Sequence, residues 1–291
     1  MQATPRPYRS VLYIPGANPR AMEKAAGLAA DAIIFDLEDA VAPDAKAEAR
    51  MALVEAFRTH DYGARARIVR INGFDTDLAA DDLDAAISVA PDAILVPKVN
   101  SAADIAPLAA RLDTEGLADT AIWAMMETPL GILNAAEIAQ APRMAGFVLG
   151  TNDLAKELGS RFRADRMPMQ ASLQMCLLAA RAAGIVAVDG VYNAFKDEDG
   201  LRRECVDGRD MGFDGKTLIH PAQLAIANEV FDPSEEEITL AKRQIEAFSV
   251  AKSEGKGVAV VDGKIVENLH VATAEALLAK AALIADMEGR V

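Results

Sequence analysis

Short apolar runs rich in Val, Ile and Leu recur at roughly 30-residue intervals, and Ala-rich amphipathic stretches fill the gaps between them. The runs cover residues 11–14, 32–35, 67–71, 93–96, 121–125, 146–149, 184–188 and 216–219. Eight such strands within about 230 residues, each followed by a helix-like segment, predict a closed (β/α)8 TIM barrel. An open doubly wound sheet usually has fewer strands. Helices are expected over 21–30, 46–57, 102–111, 131–140, 169–183 and 221–231, most of them bounded by Pro, Gly or Asp.

Beyond residue 231 the pattern changes. Pro233-Ser234-Glu235-Glu236 opens a long polar helix, and Ser234 with Glu237 three residues later forms a capping box. Residues 255–268 read as a hairpin turning at Asp262-Gly263, the strongest short hairpin signal, and 269–287 as a final helix. The division expected is therefore a barrel over 1–231, carrying the metal and substrate site, and an extension over 232–291 acting as a lid, an oligomerisation arm, or both.

With 52% hydrophobic and 25% charged residues in 291, the chain has ample material for a full core. A net charge of −14 argues against nucleic acid or anionic membranes as partners, because neutralising phosphates needs clustered Lys and Arg. Any anionic substrate must meet a local basic pocket. Cys176 and Cys205 sit in no CxxC or Cys/His spacing and read as core thiols of a reducing cytoplasm. The first nine residues have no apolar segment of the export type, and no window approaches eighteen uninterrupted apolar residues, so neither export nor a membrane span is expected.

In a barrel the chemistry gathers at the carboxyl ends of the strands. There the chain places Asp36, Glu38 and Asp39, then Arg70 and Asn72, Lys98, Glu127, Asn152 and Asp153, Asp189, and His220. Glu127 and Asp153 would end neighbouring strands side by side, where two acids repel unless a cation or an Arg compensates. Such a pair of hard oxygen donors suits Mg²⁺. Arg70 lies at a position that should be buried, where its guanidinium could grip a carboxylate through two parallel hydrogen bonds. Plainer roles compete: Asp39 and Asp189 as helix caps, Lys98 as an ion-pair partner of Asp36 or Glu38, His220 as a backbone hydrogen-bonding group. No GxSxG supports a serine nucleophile, and no P-loop or GxGxxG signals a nucleotide cofactor.

Seven motifs occur in order: Arg9-Ser10-Val11-Leu12-Tyr13-Ile14-Pro15-Gly16, Phe35-Asp36-Leu37-Glu38-Asp39-Ala40-Val41-Ala42-Pro43, Val69-Arg70-Ile71-Asn72, Val96-Pro97-Lys98, Glu127-Thr128-Pro129-Leu130-Gly131, Gly150-Thr151-Asn152-Asp153-Leu154-Ala155 and Ile219-His220-Pro221. The chain thereby resembles the citrate lyase beta subunit-like branch of the HpcH/HpaI aldolase superfamily, alongside malyl-CoA and citramalyl-CoA lyases. The resemblance implies a homotrimeric barrel, or a dimer of trimers. It also implies a Mg²⁺-dependent lyase, with Mn²⁺ as a substitute ion, that makes or breaks a carbon–carbon bond between acetyl-CoA or propionyl-CoA and a small 2-oxo acid. Residue by residue, Glu127 and Asp153 match the Mg²⁺ ligands. Arg70 and Glu127 match substrate contacts, with Arg70 also offsetting enolate charge. Lys24 matches a CoA phosphate contact, Arg20 stands in for a basic residue that some relatives carry at Asn18, and Tyr13 joins them in the CoA site. Glu267 stands where lyases of the family often have an Asp, and is expected to shuttle the proton across a subunit boundary, with Asp36 and Glu38 as the other acid/base candidates. Three alternatives remain open: a malyl-CoA thioesterase using the same site, a beta subunit of a citrate lyase complex acting on an acyl-carrier-bound substrate, and a free-pyruvate aldolase.

Overall fold

The apolar runs become eight parallel strands closed into a ring: β1 (Ser10–Pro15), β2 (Ala32–Asp36), β3 (Ala66–Arg70), β4 (Ala93–Val96), β5 (Ala121–Met126), β6 (Met144–Leu149), β7 (Val186–Asp189) and β8 (Gly215–Leu218), with β8 pairing back onto β1. This computed structural model describes residues 6–289. The fold is a (β/α)8 barrel, as the spacing of the runs predicts.

Side chains alternate across each strand, and that parity builds two cores. Val11, Ile34, Ile68, Leu95, Trp123, Met125, Val148 and Val188 pack together inside the ring. Leu12, Phe35, Val69, Ile94, Phe147 and Leu218 belong to the larger cluster that the strands form with the surrounding helices. Trp123 fills the interior against the Tyr8 ring, 5.1 Å between centroids. A Cβ at Gly146 on the neighbouring strand would come within 2.5 Å of the indole, so that position must stay bare.

The helices are α1 (Pro19–Ala25), α2 (Lys46–Thr59), α3 (Ala79–Ser88), α4 (Ala102–Thr114), α5 (Pro129–Leu133), α6 (Ala135–Ile138), α7 (Thr151–Leu158), α8 (Gln170–Ala183), α9 (Glu198–Met211) and α10 (Leu224–Phe231). Three of these, α3, α7 and α9, are not expected from the apolar periodicity. α9 carries two glycines and eight charges in fourteen residues, and buries only a thin stripe that includes Leu201 and Cys205. The single helix expected over 131–140 is two short ones that break at Asn134. Gly184, expected in a strand, instead ends α8 in the left-handed conformation, with φ +71°.

A second compact unit begins at Asp232. It comprises α11 (Glu235–Ser253), a hairpin of β9 (Ala259–Val261) and β10 (Lys264–Val266), and α12 (Asn268–Met287). Ser234 and Glu237 form the capping box in both directions, at 3.1 and 2.7 Å. Asp262 and Gly263 both take positive φ, +50° and +74°, as a two-residue type I′ turn demands. Among the described residues one helix, α12, has the length and mean composition to cross a membrane, but no run in it approaches eighteen uninterrupted apolar residues. Glu275 and Lys280 stand in its middle, where a bilayer would penalise them.

Candidate active site

Interior parity carries Tyr13, Asp36, Arg70 and Glu127 to the carboxyl end of the ring, in line with the inward-facing Val11, Ile34, Ile68 and Met125. There a cavity of about 310 Å³ is lined by Tyr13, Asp36, Arg70, Glu127, Asp153 and Asn193, among others. A groove of about 610 Å³ lined by Phe74, Lys98, Asn100 and Pro107 is larger, but it holds neither Arg70 nor Asp153.

Arg70 is buried because its charge is answered on several sides. Nε and Nη2 bind the two oxygens of Asp36 at 2.8 and 2.6 Å, Nη1 lies 2.7 Å from Glu38 Oε2, and the guanidinium sits 4.9 Å above the Tyr13 ring. The two parallel hydrogen bonds expected toward a substrate are thus made to Asp36. Asp36 in turn accepts the backbone N–H groups of Glu38 and Ala40, which leaves it little capacity as a base. Glu38 differs: its pairing with Arg70 lacks hydrogen-bond alignment, so Oε2 is buried with no hydrogen-bond partner. Burial, with Asp39 and Asp36 nearby and Arg70 opposing, pushes the Glu38 carboxyl up to about 7.

Glu127 follows β5 directly and is buried; its Oε1 accepts the Lys98 N–H at 2.8 Å. Lys98 holds φ at +52°, a strained conformation for a lysine, and that turn aims its N–H at the carboxylate. A Cβ at Gly150 would collide with the Glu127 side chain, so the glycine makes room for it. Asp153 does not end β6 as expected; it lies in the first turn of α7, four residues past Leu149. Among the described residues no three acids, Cys or His gather as a metal cluster. Mg²⁺ needs none, since one or two carboxylates usually hold it with water and substrate oxygens completing the shell. The donor set fits a small divalent cation: burial, Glu38 and Asp153 drive the Glu127 carboxyl up to about 8 against the Lys98 N–H and Arg70, an excess of negative charge that a cation relieves. Partial burial pulls the Lys98 ammonium down, but Glu38, Glu127, Asp75 and Asp153 together hold it above its ordinary range.

A pH dependence follows. The folded-state values of Glu38 and Glu127 lie above the ordinary carboxylate range, so their stabilising contribution is full below about pH 4.5 and is lost as pH rises through about 7 to 8 in metal-free protein. Mg²⁺ requires the ionised forms, so its affinity is expected to rise at least about tenfold from pH 6 to 8.5, with proton release. Titration calorimetry in two buffers of different ionisation enthalpy checks this. An affinity flat with pH would place the cation elsewhere.

Other rim residues serve differently. Asp189 has the parity of Ala187 and faces the helices; it caps no helix but pairs with Arg166 at 2.5 Å and Lys216 at 3.1 Å. His220 accepts the Ala222 N–H at its own helical turn and stacks on Phe195. Lys98 Nζ reaches Glu38 Oε1 at 4.0 Å. Arg20 and Lys24 are exposed on α1, one turn apart. Glu267 is exposed at the start of α12 in the second unit, its N–H donated to His270 Nδ1 at 3.0 Å. Sequence reasoning missed Lys46, which is buried and donates to the carbonyls of Leu37 and Glu38 at 2.7 and 2.6 Å and to Asn72 at 3.0 Å, pinning the loop that carries Glu38. Its spacing to Ala49, Leu53 and Ala56, all buried on α2, is the signal that could have found it.

A (β/α)8 barrel with a buried arginine–carboxylate cluster and further carboxylates at its carboxyl rim has the layout of a barrel enzyme. The chain belongs to the HpcH/HpaI aldolase/citrate lyase family, whose pattern matches residues 9–221. It is 65% identical over 279 residues to a (3S)-malyl-CoA thioesterase of Cereibacter sphaeroides, covering 96% of each. It is 38% identical to the citrate lyase subunit beta of Leuconostoc mesenteroides subsp. cremoris, covering 97% of this chain and 96% of the relative. Among solved structures it resembles CitE from Mycobacterium tuberculosis in complex with magnesium, acetoacetate and coenzyme A, at TM-score 0.78 and 33% identity, over 95% of this chain and 98% of that one. These likenesses overturn the expectation of a carbon–carbon lyase: the relative named a thioesterase stands far nearer than the one named for a lyase. No motif read from the sequence separates hydrolysis of the thioester from carbon–carbon cleavage.

Proposed function

We propose that this protein hydrolyses the thioester of a short, carboxylate-bearing hydroxyacyl-CoA of the (3S)-malyl-CoA type, releasing coenzyme A and the free hydroxy acid. The observation that carries this reading is the 65% identity, over 96% of the chain, to a protein named for that activity. The site supports it. Glu127 and Asp153 would hold Mg²⁺, which when bound supplies a Lewis acid for the substrate's carboxylate and hydroxyl oxygens. Arg70 balances the acids around it and contributes positive charge at the cavity wall. Glu38, buried with one oxygen free of hydrogen bonds, takes the proton from the attacking water. Arg20, Lys24 and Tyr13 are the residues of this chain offered to the CoA portion. The unit from Asp232 onward acts as a lid and oligomer arm; exposed Val260, Ile265 and Leu269 favour a homo-oligomer. A cytoplasmic setting completes the reading.

The test is to incubate the protein with Mg²⁺ and malyl-CoA, follow free thiol, and identify the acid formed. Malate with coenzyme A is expected; glyoxylate with acetyl-CoA would overturn the reading. Glu38→Gln should lower turnover by about a hundredfold or more. Glu267→Gln should fall less, and an equal fall for Glu267→Gln would move the proton-carrying role to the second unit.

A further inference from the structure

We propose that Asp189, together with Arg166 and Lys216, is a positioning residue for the cation site: it fixes the loop 190–193, and through that loop the first turn of α7, so that Asp153 is held in place beside Glu127. This rests on the assignment of Glu127 and Asp153 to Mg²⁺ made above, and it gives a role to buried charges that do not line the cavity.

Asp153 depends on support from outside its own side chain. Among the described residues its carboxylate accepts no hydrogen bond, so its place is decided by the helix that carries it. An eight-residue helix such as α7 is marginal by itself, and its N-cap is Gly150, which has no side chain to cap the first turn. Leu154 and Ala155 seat one side of α7 in the core. The first turn is met by the loop that follows β7, the strand beside β6. Asn193 Nδ2 donates to Asn152 Oδ1 at 2.8 Å and Asn152 Nδ2 to Asn193 Oδ1 at 3.3 Å, a reciprocal clasp on the residue next to Asp153. Gly190 lies against the same segment: a Cβ there would stand 2.6 Å from Thr151 Oγ1 and 2.7 Å from the Leu149 carbonyl oxygen.

The loop is in turn held by charge. Lys216 Nζ uses its three N–H groups on the Gly190 carbonyl at 2.6 Å, Glu204 Oε1 at 2.6 Å and Asp189 Oδ2 at 3.1 Å. Asp189 Oδ1 accepts the Gly190 N–H at 2.7 Å, and the Asp189 carbonyl accepts Thr217 Oγ1 at 2.8 Å. Gln223 Nε2 fixes the Tyr192 carbonyl at 2.9 Å, one residue before Asn193. Arg166, in the connection between α7 and α8, grips both oxygens of Asp189 at 2.9 and 2.5 Å. Its own φ is +53°, a conformation that an arginine keeps only where its surroundings impose it. Asp189 thus binds both the loop against the first turn of α7 and the connection that follows its last. Buried ion pairs are a poor source of stability, so a network with Lys216 and Asp189 fully buried is better accounted for by the segment it positions.

Gly190→Ala leaves all four charges in place but forces the loop away from Leu149 and Thr151, and Arg166→Gln leaves Asp189 paired with Lys216. Titrated by calorimetry as metal-free protein, well below its melting temperature, each should bind Mg²⁺ about 10- to 100-fold more weakly than wild type, with Arg166→Lys less affected than Arg166→Gln. Arg9→Met breaks the buried Arg9–Asp31 pair at the amino end of the barrel, so it should lower the melting temperature and leave Mg²⁺ affinity unchanged. If Gly190→Ala and Arg166→Gln bind Mg²⁺ as wild type does, or lose no more affinity than Arg9→Met, the positioning role is overturned, while loss of binding in Asp153→Ala keeps the cation assignment standing. Binding that survives Asp153→Ala unchanged overturns the assignment and the positioning role together.

Discussion

Asp153→Ala should abolish Mg²⁺-dependent thiol release almost completely, leaving on the order of a hundredth to a thousandth of the wild-type rate. Of the four carboxylates lining the cavity Asp36 is bound by Arg70, and in the proposed assignment Glu127 and Asp153 would hold the cation, so removing one would halve the charge they supply. The effect should be additional to any change in folding, because Asp153 lies partly exposed at the start of a helix and no barrel packing depends on it. Glu127→Gln provides the isosteric companion: it keeps the volume and the Lys98 N–H contact while removing the charge. Mg²⁺ affinity by calorimetry, read beside activity, separates loss of the ion from loss of the fold. Full activity in excess chelator would sink the assignment.

Arg70→Lys should be nearly as damaging despite conserving charge. The guanidinium bridges both oxygens of Asp36, faces Glu38 and lies over Tyr13, and an ammonium lacks the planar fork that matches both Asp36 oxygens while lying flat on the ring. Each hydrogen bond to a charged group that is lost in a buried setting costs about 1.5–3 kcal/mol, so both the melting temperature and turnover should drop. A variant that melts lower yet turns over normally would confine Arg70 to holding the rim together. Loss of turnover with an unchanged melt would place it on the substrate.

The local sequence is enough to specify the eight barrel strands and their order, and the turn and cap of the extension. Eight continuous apolar runs, the Asp262-Gly263 turn and the Ser234–Glu237 box each act within a few residues, and the structure contains each of them. α9 escaped because a helix with only a thin buried stripe shows little apolar period. Period-two alternation, read inward from Val11, Ile34, Ile68 and Met125, also suffices to bring Tyr13, Asp36, Arg70 and Glu127 to one mouth.

What only the tertiary structure decided is which charges answer which. The sequence context of Arg70 suits a grip on a substrate, but β2 lies beside β3, so Asp36 stands opposite it in register and claims the guanidinium first. Asp189 belongs to the same run of strand-end acids, yet its parity turns it outward to Lys216 and Arg166. Asn152 and Asn193 meet across 41 residues of chain, and no local pattern encodes that meeting. Backbone propensity and apolar period act over a turn or a strand, whereas Coulomb and hydrogen-bond partners are set by distances of a few ångströms between residues that only closure of the barrel brings together.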